Sequence, residues 1–151
     1  MKIYSTTYLS PLGTIVIESD GEALIGLRFV DKTECIETNG EVPIIADVRK
    51  WLDEYFDGKQ PRNVPRLNPE GTDFQRKVWQ ALLTIPYGQT KTYGEIAQMV
   101  SCRSAQAIGQ AISRNPIALI IPCHRVVGAH GALGGYAFGL ERKERLIQLE
   151  Q

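Results

Sequence analysis

Three runs near the start of the chain carry their apolar residues in the manner of strands. They are KIYSTTYL, GTIVIES and ALIGLRFV, rich in β-branched and aromatic residues and separated by the turns SPLG and SDGE. This pattern predicts a small antiparallel sheet. PIIADVRKWLDEYFDG then changes period, with Ile45, Val48, Leu52, Tyr55 and Phe56 at helical spacing and Gly58 as the C-terminal stop. One helix covering the sheet is the simplest way to bury both apolar faces. A Pro- and Asn-rich stretch, GKQPRNVPRLNPEGT, reads as a linker.

Beyond the linker the period is helical. TDFQRKVWQALLTI starts at a Thr cap and sets Phe74, Val78, Trp79, Leu82 and Leu83 on one face. PYGQTKT breaks the pattern. YGEIAQMV, a short SCR connection and SAQAIGQAI give two short helices joined by a tight turn, and LERKERLIQLE is a last amphipathic helix. The expected fold class is α+β: a small antiparallel sheet lobe with a covering helix over residues 1–65, then a mainly helical lobe over residues 66–151.

The pair of short helices has helix-turn-helix form, with Ile96, Ala97, Ala107, Ile108 and Ile112 packing one against the other. An ordinary helical hairpin would show the same spacing. The second helix, however, carries Ala105, Gln106, Ala107, Gly109, Gln110 and Ala111, without charge and with little bulk. Such a helix can bring its backbone close to a surface, which suits the minor groove of DNA better than base reading in the major groove. Arg103 and Arg114 flank it and could hold phosphates. Ser104, Gln106, Ala107 and Gly109 complete the expected DNA-binding set.

Composition narrows the class. With 151 residues, 43% apolar and 23% charged, a sizeable core can form. Net charge is zero but unevenly spread: residues 1–71 sum to −4 and residues 72–151 to +4. A basic second half is compatible with a polyanionic partner. The longest apolar run, PIALIIP, is too short to span a bilayer, and the start lacks a signal peptide's apolar stretch. Cys35, Cys102 and Cys123 show no metal-ligand spacing and no disulfide framework. A reduced, cytoplasmic protein is expected, with no membrane partner and no metal.

Cys35 and Cys102 read as buried structural thiols, the common fate of an unpaired cysteine. Cys123 differs. In IIPCHRVV it follows a proline and precedes His124 and Arg125, between two apolar stretches. A thiol with a pKa near 8.5 is only a few per cent ionised at neutral pH, and a histidine and an arginine favour the reactive thiolate. A carboxylate beyond the histidine would fix its tautomer. On these residues alone Cys123 is either a reactive nucleophile, as in a cysteine hydrolase that turns over through an acyl-enzyme, or one more buried structural thiol.

IPCHRVV, with VWQALLTIPYGQTKTYGEIA, AIGQAISRNPIALIIPCHRVVG and GALGGYAFGLERKERLIQLE, resembles the O6-alkylguanine-DNA alkyltransferases in order and without gaps over residues 72–151. The resemblance implies that Cys123 attacks the alkyl carbon on O6 of guanine in double-stranded DNA and is consumed, with no cofactor. It implies that His124 takes the thiol proton through a water, that Glu150 orients the imidazole, and that Tyr93 protonates the departing guanine. By the same likeness Asn115 braces the second helix against the cysteine segment and Arg125 gives structural and electrostatic support. Tyr136 and Ala137 line the guanine pocket, where the family often has a serine at the position of Ala137. The nucleotide would be flipped out of the duplex, and an arginine usually fills the gap; here Gln106 stands at that place. The protein would act as a monomer. A recognition protein of the alkyltransferase-like type is the alternative, though proteins of that type lack the cysteine.

Overall fold

The computed structural model describes residues 2–31, 38–39 and 41–151. Cys35 lies outside the described residues. The chain divides into two compact units, Met1–Glu70 and Gly71–Gln151.

In the first unit, β1 (Tyr4–Ser10), β2 (Gly13–Ser19) and β3 (Leu24–Val30) form an antiparallel sheet in the order β1-β2-β3. Tight turns between neighbouring strands set this order, pairing Ser10 with Gly13 and Ser19 with Leu24. Helix α1 (Pro43–Phe56) packs on β2 and β3, burying Ile44, Ile45, Val48, Trp51, Leu52 and Tyr55. Its proline sits in the first turn, where a missing N–H costs nothing. Gly58 follows the end of the helix at φ +79°, the left-handed conformation expected of a stop. The segment read as a linker is partly tethered. Leu24 donates to Arg66 O and Asn68 donates to Leu24 O, both at 2.8 Å. Those bonds hold residues 66–68 alongside the sheet and keep them in the first unit.

The second unit contains α2 (Asp73–Leu83), α3 (Tyr93–Met99), α4 (Ala105–Ser113) and α5 (Leu140–Leu149). Two-residue strands β4 (Lys91–Thr92) and β5 (Val126–Val127) pair in parallel. Each of the first three helices starts on a hydroxyl cap. Thr72 and Thr92 make full capping boxes with Gln75 and Glu95, and Ser104 Oγ accepts from Ala107 N. Helices α3 and α4 pack together, with Ile96, Ile108 and Ile112 buried between elements. Among the described residues, no helix is long and apolar enough to cross a membrane.

Two expectations change. Leu83 is 38% exposed, and Ala81 takes its place on the buried face of α2; the helix ends at Leu83, so its last residue is carried off the packed stripe. Cys102 is half-exposed rather than buried, in the connection between α3 and α4, with Sγ 3.7 Å from Ser104 O.

Trp79 ties α2 to α4, donating from Nε1 to Ala111 O at 2.8 Å. Trp79→Phe should therefore lower the unfolding free energy by about 1–3 kcal/mol, because it strands a buried carbonyl as well as removing volume. Denaturant titration should show a lower midpoint with an unchanged slope.

Candidate active site

The site is built around a chain reversal that the sequence encodes in Asn115 and Pro122. Asn115 follows α4; its side-chain carbonyl accepts from Ile117 N at 3.0 Å, and its amide donates to Ile121 O at 2.8 Å. The asparagine thus closes the loop that leads from α4 to the cysteine. Every residue from Ile117 to Val126 is buried, which explains the apolar flanks. Pro122 then opens a single 3-10 turn, Cys123–Arg125, closed by Arg125 N donating to Pro122 O at 3.0 Å. In so tight a turn, consecutive side chains point in different directions. Cys123, His124 and Arg125 therefore serve different neighbours.

Cys123 points into a cavity of about 290 Å³. Tyr93, Gly135, Tyr136 and Ala137 line it, together with Gly109, Ile112 and Ser113 of α4. Gly109, expected on the DNA-binding surface, thus forms part of the cavity wall. A Cβ added there would meet nothing within 4 Å, so its bareness leaves open space. Tyr93 donates to Gly135 O at 3.4 Å, and Gly134, at φ +76°, leaves room for the Tyr93 ring; a Cβ would stand 3.0 Å from it.

His124 is 0% exposed, and its Nε2 lies 2.5 Å from Glu150 Oε2. A carboxylate only accepts, so Nε2 carries the proton and Nδ1 is the basic nitrogen. Arg125 donates from Nε to Glu150 Oε1 at 2.7 Å and from a terminal nitrogen to Ile85 O at 2.8 Å. Its guanidinium stacks 5.7 Å from the centre of the Tyr87 ring. Gly88 N adds a third donor to Glu150, at 3.3 Å.

Electrostatics set the resting state. Burial pushes the Cys123 thiol up, while the Asn115 amide, the Lys143 charge and the backbone N–H groups of Cys123 and His124 pull it down. Burial holds His124 below its usual value, against the raising effect of Glu150. The resting pair is a thiol beside a neutral imidazole, with groups in place that favour charge once the proton moves. Tyr93 and Tyr136 are both raised, chiefly by burial and with the Cys123 charge adding to it, while the Gly135 backbone acts the other way on Tyr93.

The structure thus brings Cys123, Tyr93, Tyr136 and Ala137 to one cavity, with His124, Glu150, Arg125 and Asn115 directly behind it. Arg103, Gln106 and Arg114 are exposed on and around α4, outside the cavity lining, and Ala107 is half-buried. Ser104 is committed to capping α4.

Lys143 was not expected here. It is 0% exposed, donates to Gly135 O at 2.9 Å and stands 5.9 Å from the centre of the Tyr93 ring. Burial brings its pKa down to about 8, opposed by the Cys123 charge. A signal was present in LERKERLIQLE: Lys143, Leu146 and Glu150 share one helical stripe, and all three are buried. Among the described residues, no group of three or more His, Cys, Asp or Glu is placed to hold a metal ion.

A histidine kept neutral by folding makes stability depend on pH. The unfolded chain binds a proton below about 6.5 that the folded chain resists, so stability is lost as pH falls through that value. The slope from His124 should be at most about 1.4 kcal/mol per pH unit. Unfolding free energies measured between pH 7 and 5 should fall less steeply in His124→Gln.

Residues 73–151 match the family described as 6-O-methylguanine DNA methyltransferase, DNA binding domain. Residues 3–64 match its ribonuclease-like domain. A methylated-DNA–protein-cysteine methyltransferase of Mycobacterium leprae is 47% identical over 94% of this chain and 88% of its own length. One of Methanosarcina acetivorans is 43% identical over 98% of both. The crystal structure of Mycobacterium tuberculosis OGT in complex with DNA superposes with a TM-score of 0.88 at 41% identity, covering 97% of this chain and 92% of that one.

Proposed function

The chain belongs to the 6-O-methylguanine DNA methyltransferase family, and on that premise we infer that it repairs DNA by moving the alkyl group of O6-alkylguanine onto Cys123. The observation that carries the reading is a thiol at the wall of a base-sized cavity, backed by a buried histidine–carboxylate pair.

The proton of Cys123 passes through a water to Nδ1 of His124. The imidazolium that forms is stabilised by Glu150, itself held by Arg125. The thiolate attacks the alkyl carbon; the S–C bond forms as the C–O6 bond breaks, and that electron pair goes to the guanine. Tyr93, whose raised pKa keeps its hydroxyl protonated, gives a proton to the departing base and recovers one from the imidazolium through solvent. The product is a thioether, stable to water, so each molecule acts once. An acyl-transferring hydrolase would instead turn over.

The substrate is double-stranded DNA, met by the protein as a monomer in the cytoplasm. The second unit, Gly71–Gln151, carries both the transfer and the DNA contact. Helix α4 approaches the minor groove, and Arg103 and Arg114 take phosphates. Gln106 lies three residues before Gly109 on α4, so it stands one turn from the cavity wall, where it can fill the space a flipped nucleotide leaves. Tyr136 and Ala137 form the pocket wall.

Incubation with excess duplex carrying O6-methylguanine should add about 14 Da, one methyl group, to Cys123 alone, at one base repaired per molecule. Repair beyond one base per molecule, or tight binding with no mass gain, would exclude the suicide transfer. Gln106→Arg supplies a charge where the wild type has an amide. It should raise the rate on duplex DNA by about fivefold to tenfold and leave single-stranded DNA nearly unchanged.

A further inference from the structure

We propose that the Tyr87–Gly88 turn is a positioning element that sets Glu150 against His124 and so tunes proton removal from Cys123. The inference rests on the alkyl-transfer reading above.

Gly88 makes two hydrogen bonds to the end of the chain and would crowd it at a third point if it carried a side chain. Its N–H donates to Glu150 Oε1 at 3.3 Å, its carbonyl accepts from Gln151 Nε2 at 3.2 Å, and a Cβ built on it would stand 3.0 Å from the Glu150 carbonyl oxygen. Its φ is +81°, a conformation glycine adopts without strain. Tyr87, beside it, carries the Arg125 guanidinium on its ring, and Arg125 is the cation on the same carboxylate. One two-residue turn thereby touches both Glu150 and the group that neutralises it. A side chain at position 88 meets backbone rather than a flexible tip, so the chain at Glu150 must give by a few tenths of an ångström to admit it.

Glu150 acts on Cys123 only through His124. The groups facing that pair are Arg125 and Lys143, which oppose a charged imidazole, together with Tyr87, Tyr136 and the thiol itself. Glu150 supports the imidazolium against this set and against burial. Moving the carboxylate away weakens that support, so the thiol gives up its proton only at higher pH.

The test compares Gly88→Asn with Gly131→Asn in the full-length protein. Both glycines have φ of +81°, but a Cβ at Gly131 meets nothing within 4 Å. Asparagine tolerates this conformation, so backbone strain is matched and only the contact with Glu150 differs. Gly88→Asn should slow methyl transfer from an O6-methylguanine duplex at neutral pH by about tenfold or more and move the rising limb of the pH–rate profile upward. Gly131→Asn should do neither. In a Glu150→Gln background, Gly88→Asn should add no further loss. Equal profiles for the two Asn variants, or a loss that adds fully to that of Glu150→Gln, would overturn the inference while leaving the transfer reading intact. Failure of the wild-type protein to become alkylated would overturn both.

Discussion

A single carboxylate organises the second unit. Glu150 is 5% exposed, and an unpartnered charge at such a site would cost several kcal/mol. It is met by the His124 imidazole, the Arg125 guanidinium and the Gly88 N–H. Those three contacts come from two separate segments, the turn after α2 and the 3-10 turn at Cys123–Arg125, and they fasten both to the end of α5. Arg125 extends the fastening to Ile85 O. Removing one partner would leave a buried charge exposed to nothing, so the cluster must form together or not at all. The geometry behind the cysteine is therefore fixed by the same interaction that closes the fold.

That arrangement holds a nucleophile in check. Burial keeps Cys123 protonated and His124 neutral, so the charged pair exists only when something stabilises it. Lys143 and Asn115 favour the thiolate and Glu150 favours the imidazolium. A protein used once per lesion gains from this balance, since a permanently ionised thiol would react with stray electrophiles before meeting DNA. The need for a low resting reactivity explains why the cysteine sits against a small cavity and not in an open electropositive cleft.

The elements were largely legible because each keeps one period: β-branched runs broken by short turns for β1–β3, and 3.6-residue stripes behind Thr or Ser caps for α2, α3 and α4. The cysteine and its histidine stood out in IIPCHRVV itself, whereas the distant glutamate was legible only through the resemblance. What escaped depends on tertiary contact. Lys143 reads as surface because lysine usually is surface, although its stripe with Leu146 and Glu150 pointed inward. Gly88 reads as an ordinary turn residue; its closeness to Glu150 arises only when two segments 62 residues apart meet. The stretch around Arg66–Asn68 reads as a linker by composition, yet backbone bonds to Leu24 need no particular side chain and leave no trace in it.

The small residues of α4 answer two demands at once. On a helix, positions 106, 109 and 113 form one stripe, and Gly109 and Ser113 already face the cavity beside Cys123. A bulky residue at 109 would narrow the cavity beside Cys123, and on the proposed function a bulky residue at the outer positions would hold the helix away from a groove. Position 106 and the cavity-lining positions 109 and 113 thus lie along one face of the same short helix. On the proposed function, a base rotated out of the duplex enters beside this face, so the bareness of α4 serves the transfer as well as the binding.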